Sequence, residues 1–457
     1  MAGNLKKASV ADGTSAALVR FITHTRWEDL PSAVRHEAVR ALVNFFGTAL
    51  AGCRDPALRI ATEVFSQFRA GGGCTVIGWA ETTDALHAAS LNAMSGNVFD
   101  YDDTHLPTII HPTAPVAPAL FALAQIRPLS GRELLLAFVL GVEIECRLGN
   151  AVSPSHYQRG WHITSTCGVF GAAAACARAM GLDETRTLWA LGNASAQASG
   201  LVETLGSMAK SIGVGNSASN GLLSALLAAR GFEGPAMPIE GPRGFLRVTC
   251  DTPDIGCVTE GLGERWELLA NTYKPYPCGV VLNPVIEASL ALHREAPVAL
   301  DDIQRVELTG HPLLRERTDR PAPRSGREAQ VSAQHAVAVS LVCGRAGLGE
   351  FSDATVAEPH WRSLADRLVF TDDPRFGIES ATVSLRLRDG ATRSRHVATA
   401  RGSAGAPLGD DELQQKLTQL AAWGGSGCPA APLADALWSL EGRADAGSLM
   451  PLAAGGI

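Results

Sequence analysis

The stretch NVFDYDDTHLPTIIHPTAPVAP, residues 97–118, holds the densest set of groups able to move protons. Asp100, Asp102, Asp103, Thr104, His105 and His111 fall within twelve residues. An imidazole ionises near neutral pH, so it can give or take a proton, and a neighbouring aspartate can fix its tautomer and raise its basicity. His105 and His111 both qualify on this ground. Prolines 107, 112, 115 and 118 stiffen what reads as a loop between two apolar helices. Catalytic side chains are commonly presented on such segments. The competing reading has the aspartates and Thr104 capping a helix, with solvated histidines. Zinc is disfavoured, because the spacing matches no zinc signature and no HExxH occurs.

Three other segments offer groups suited to an anion. His162 ends the run YQRGWH just before a small-residue helix, where it could meet an anion gathered at the helix N-terminus. A packed histidine beside Trp161 is the alternative. Lys210, in GSMAKSIGVGN, reads as a lysine on a glycine-bearing loop ahead of a helix over 217–230. With no GxxxxGK[ST] and no preceding strand the nucleotide reading fails, but a single ammonium suits a carboxylate. Lys274 lies between Tyr273 and the stiff PYPCG segment, at an inferred domain junction where ligand clefts are favoured. Its alternative is a rigid linker. No base can be assigned to make Cys278 a nucleophile.

The elements behind these segments are mostly helical. Residues 29–52 space Val34, Ala38, Leu42, Phe45 and Ala49 as one apolar face, with Pro31 in the first turn. Ser130 to Glu133 forms a capping box ahead of an apolar run, and Asp183-Glu184 opens another helix. Charges at Glu143, Glu145 and Arg147 make that apolar run a buried helix rather than a membrane span. Past Lys274 the pattern changes. Residues 303–308 and 382–388 alternate as strands, Asp389-Gly390 turns a hairpin into 392–398, and a helix spans 328–343. The fold class is therefore mainly α: an all-helical domain over 1–270, completed by helices in 405–457, plus a smaller α+β domain over 271–404. The Ala/Gly-rich carboxyl end reads as frayed.

A chain of 457 residues exceeds one compact core, and the formal charge of −7 gives no field to draw nucleic acid or anionic membrane. Ten scattered cysteines without a CxxC pair, and an amino-terminal Lys6-Lys7 stretch without a signal-peptide core, fit a reduced cytoplasmic protein. On that basis Asn193-Ala194-Ser195 is a chance glycosylation pattern.

In order and spacing the segments DYDDTH with HPT, GWHITSTCGVFGAA, GSMAKSIGVGNSASNG, KPYPCG and REAQVSAQHAVAVSLVCG resemble the MmgE/PrpD family. That family includes 2-methylcitrate dehydratase, cis-aconitate decarboxylase and iminodisuccinate epimerase. The resemblance implies a helical body with a smaller α+β lid, a cleft between them, and a homodimer. It implies a small di- or tricarboxylate substrate and proton transfer beside a carboxylate, with no cofactor and no metal. Asp100, His111, His162 and Lys210 would be catalytic, with His111 transferring the proton and Asp100 orienting it. Thr104, His105 and Lys274 would bind substrate, and His105 stays open as the alternative acid/base. A 2-methylcitrate dehydratase-like hydro-lyase is the leading expectation; decarboxylase-like, epimerase-like and non-catalytic binding readings are the alternatives. Gly213 and Asn283 stand where many relatives carry histidine, as does His105 where dehydratases carry tryptophan.

Overall fold

A computed structural model of the chain describes residues 13–68 and 71–456; the Lys6-Lys7 stretch lies outside them. The chain divides into two units. One runs through Val98, takes in Asp102–Asn271 and resumes at Asp410; the other comprises Phe99–Tyr101 and Thr272–Gly409.

The first unit is helical apart from short strands. At its centre lies the helix Ile163–Ala179, buried at every residue from Ile163 to Ala177. Its small side chains let neighbouring backbones come close. A Cβ on Gly141 would lie 2.7 Å from the Gly171 carbonyl, and one on Gly221 would lie 2.4 Å from the Ala172 Cβ. The helices Gly131–Val152 and Ala209–Ala229 therefore sit against it almost backbone to backbone. Ser130 and Glu133 form the expected capping box, and Asp183 caps the helix Glu184–Ser195. Glu143, Glu145 and Arg147 are fully buried. Among the described residues no helix is long and apolar enough to cross a membrane. The Arg147 guanidinium bonds Glu143 and the carbonyls of Val258, Glu260, Gly261 and Arg265, so its charge is fully engaged.

Several expectations need correction here. The helix Ser32–Gly52 starts after Pro31, which is its N-cap, and from Ala38 on it is buried on all sides. The late helix Asp410–Gly424 covers the face that the periodicity leaves to solvent: a Cβ on Gly47 would touch Leu417, and Lys416 Nζ donates to Asn44 Oδ1 at 2.8 Å. The carboxyl end is not frayed. Leu449, Met450 and Ala453 are buried, Gly78 N donates to the Ala453 carbonyl, and Gly455 N to that of Trp79. Asn193 is buried on its helix and so is closed to glycosylation.

The second unit carries a four-stranded sheet in the order Leu368–Asp372, Ile303–Gly310, Ala381–Leu387, Thr392–Val397. The first pair is parallel and the others antiparallel, with the hairpin at Asp389-Gly390 as read. Val306, Leu308, Val383 and Leu385 pack with Val285, Ile286, Val337 and Leu341 of the helices Asn283–Glu295 and Ala333–Cys343. The helix expected over 328–343 is broken: Ala329 ends a short turn, and Ser332 caps a new helix at Ala333. Strand Leu368–Asp372 escaped notice because only three apolar residues stand between charges.

Candidate active site

The loop after Val98 is shaped by two residues with left-handed backbones, Asp100 at φ 52° and Ile109 at φ 57°. Aspartate tolerates this region; for β-branched isoleucine it is strained, and such strain collects at functional sites. Ile109 closes a tight turn in which His105 N donates to the Ile110 carbonyl and Ile109 N to that of His105, both at 2.8 Å. This turn brings His111 back beside the strand Asp103–His105. The loop ends at Pro112, because Pro115 and Pro118 belong to the helix Thr113–Ile126 rather than to the loop.

His111 is nearly buried, and its Nδ1 faces oxygens of Asp103, Asp102 and Thr104. The Asp103 carbonyl is at 2.7 Å, Asp102 Oδ1 at 3.3 Å and Thr104 Oγ1 at 3.4 Å. A carbonyl can only accept, so Nδ1 carries the hydrogen and, in the neutral ring, the lone pair is at Nε2. Asp102 itself receives Asn97 Nδ2 at 2.6 Å. Asp102 and His111 are also donor types that a divalent cation accepts.

His111 N donates to Thr164 Oγ1 at 3.2 Å, in the first turn of the helix that His162 caps. His162 has Nδ1 2.7 Å from Ser165 Oγ, and its amide bonds the Gly200 carbonyl. Gly213, one turn beyond Lys210, lies so close to Ser165 that a Cβ there would be 2.8 Å from its hydroxyl. Side chains of one helical turn thus relate all three residues: Thr164 touches His111, Ser165 touches His162, and Ser165 abuts the Lys210 helix. Lys210 itself is in the first turn of Ala209–Ala229, so the loop expected around it is helix.

In the second unit Lys274, only 3% exposed, donates to both the carbonyl and Oδ2 of Asp100 at 2.9 Å. The lysine thereby holds the left-handed Asp100 in place. Within the first unit, Asp102 and Asp103 supply contacts to the His111 ring.

His105 is corrected. It is fully buried, with Nδ1 2.8 Å from Thr108 Oγ1 and Nε2 donating to Glu267 at 3.1 Å. Both ring nitrogens are spent on structure, so it can neither bind substrate nor stand in for His111. Burial pushes the Glu267 carboxyl up, but the hydrogen bond and charge of His105 outweigh it and hold it at about 2. Burial raises the Cys278 thiol far above the ordinary range, which leaves no thiolate for catalysis.

Sequence reasoning missed Thr164, Ser165 and Asn271, whose hydroxyl and amide groups carry no motif of their own. Asn271 Nδ2 donates to the buried Asp103 carboxylate at 2.7 Å, and so does the Thr113 hydroxyl. Burial pushes that carboxyl up to about 7, opposed by these donors.

The MmgE/PrpD N-terminal domain matches residues 16–257, and the MmgE/PrpD C-terminal domain matches 276–438. The cis-aconitate decarboxylase-like protein oryM of Aspergillus oryzae is 28% identical, over 96% of this chain and 97% of its own. The cis-aconitate decarboxylase of Homo sapiens is 27% identical over 85% and 83% respectively, and that of Aspergillus terreus 26% over 91% and 90%. Since the two domains are matched in order across most of its length, the chain belongs to the MmgE/PrpD family.

Proposed function

We propose that this chain is a lyase that decarboxylates a small tricarboxylate of the cis-aconitate type. The observation that carries the reading is the Nδ1 hydrogen of His111 bound to the Asp103 carbonyl, which leaves Nε2 as the atom that exchanges protons. Relatives named cis-aconitate decarboxylases favour loss of CO2 over the dehydration that the sequence put first.

In this reading one C–C bond breaks and CO2 leaves without its bonding pair, which stays on carbon as enolate-like charge. Nε2–H of protonated His111 delivers a proton there, forming the C–H bond, and the ring regains one proton from solvent. Lys210 and His162 hold the remaining carboxylates. Each such donor contributes about 3 kcal/mol to stabilising the developing charge. Thr104 and Asp102 flank the ring at Nδ1 and hold its angle. A homodimer in the cytoplasm is the setting assigned to it.

The test incubates the protein with cis-aconitate, 2-methylcitrate, citrate and iminodisuccinate and follows products by NMR, with and without EDTA. The expected result is CO2 and a five-carbon dicarboxylate from cis-aconitate, unaffected by EDTA. His111→Ala should lower kcat by about 10²–10⁴-fold while the fold persists. Water loss from 2-methylcitrate alone, binding without turnover, or activity that needs an added divalent cation would each overturn the reading.

A further inference from the structure

We infer that Asp103 is the positioning residue of the acid/base: its side chain ties down the carbonyl that fixes the His111 tautomer. The inference rests on the role proposed for His111. Asp103 opens the short strand Asp103–His105 and is fully buried. Its backbone oxygen takes the Nδ1 hydrogen of His111 at 2.7 Å, closer than Asp102 Oδ1 or Thr104 Oγ1. Its carboxylate takes the Thr113 hydroxyl, from the first residue of the Thr113–Ile126 helix, and the Asn271 amide at 2.7 Å. One side chain thus joins the loop to a helix and to the segment at 271. Those two donors anchor the side chain of the residue whose backbone carries that carbonyl.

An ionisable group buried this completely is costly unless its bonds compensate, and an apolar residue would fill the same volume at less cost. The arrangement has a use in a reaction through Nε2. If the carbonyl swung away, Asp102 and the Thr104 hydroxyl would compete for the ring and the other tautomer would become accessible. The neutral ring could then hold its hydrogen at Nε2 and its lone pair at Nδ1, and the proton regained from solvent would no longer be directed to Nε2. A shift of this kind acts on the reacting geometry and leaves carboxylate binding to Lys210 and His162.

The experiment removes the donors and leaves Asp103 itself in place. Thr113→Val, Asn271→Leu and the double variant are labelled with 15N-histidine. Long-range 15N–1H spectra then read the His111 tautomer, the signal being assigned by its loss in His111→Ala. The Nδ1–H form is expected in the unaltered protein and a mixture of tautomers in the double variant. Turnover should fall between about ten- and a hundredfold in kcat, with KM within about twofold. Thr113→Ser, which keeps the hydroxyl, should restore both readouts. If the double variant is unstable, the single variants carry the test. An Nε2–H form in the unaltered protein, or a tautomer and kcat that do not move together, would overturn the inference. The spectra need no substrate. A protein inactive on every tricarboxylate but with the expected tautomers would therefore sink the proposed reaction and leave the positioning intact.

Discussion

At the scale of residues, Glu145 is the clearest departure from what a stable core requires. It is fully buried, and neither carboxyl oxygen has a hydrogen-bond partner among the described residues. Burial, reinforced by the charge of Asp103, holds it well above the ordinary carboxylate range. Its folded form therefore keeps a proton that the unfolded form gives up near pH 4.5, so the native state binds more protons between those two values. Stability contributed by Glu145 is present in acid and is lost as pH rises past 4.5. Glu145→Gln removes that loss. Thermal unfolding followed from pH 5 to 8 should give a Tm for the variant that declines less with pH. At pH 8 it should exceed the unaltered protein's by about 2–4 °C for each kcal/mol recovered. A variant less stable at pH 8 would mean that the carboxylate is charged and paired. The His105–Glu267 pair has the opposite sign, since the depressed Glu267 stabilises above its unfolded value and that contribution is lost as pH falls towards 2.

At the scale of elements, close approach of helices decides which substitutions are tolerated. Gly221 lies mid-helix, where alanine would ordinarily gain about 1 kcal/mol in propensity. Its Cβ would meet the Ala172 Cβ at 2.4 Å and the Ala173 backbone nitrogen at 2.8 Å, and neither atom can rotate away. Gly221→Ala should therefore destabilise by about 1–3 kcal/mol, as overpacked cores do, and denaturant titration reads the sign directly. A gain in stability would mean that the two helices separate easily. The same contact zone leads to the turn of Thr164 and Ser165, so a displaced Ala209–Ala229 helix would also move Lys210.

At the scale of the whole molecule, the first unit is assembled from distant stretches of chain. The helix Asp410–Gly424 completes the core around Ser32–Gly52, with a Cβ on Gly424 falling 1.9 Å from the Leu50 carbonyl and Arg40 paired to Asp410. Removing everything from Asp410 onward strips one side from a helix buried all round. We expect that truncated chain to lose its cooperative unfolding transition or to aggregate, measured by calorimetry and light scattering. A truncated protein that melts cooperatively at an unchanged Tm would contradict this.

The sequence by itself determined much of the local structure and most of the candidate residues. Capping residues such as Ser130 and Asp183, the Asp389-Gly390 turn and the alternation over 382–388 act within a few residues, and each formed as read. His111, His162, Lys210 and Lys274 stood out because unusual side chains sat on unusual spacing. What only the tertiary structure decided lies between distant residues. Nothing near His105 in sequence reveals that Glu267 consumes its ring, and nothing near His111 reveals that Asn271 and Thr113 steady the carbonyl beneath it. Burial of Ser32–Gly52 on every side was illegible for the same reason. Periodicity records which face of a helix is apolar, whereas the partner of its other face comes from a segment some 360 residues later that only folding brings alongside.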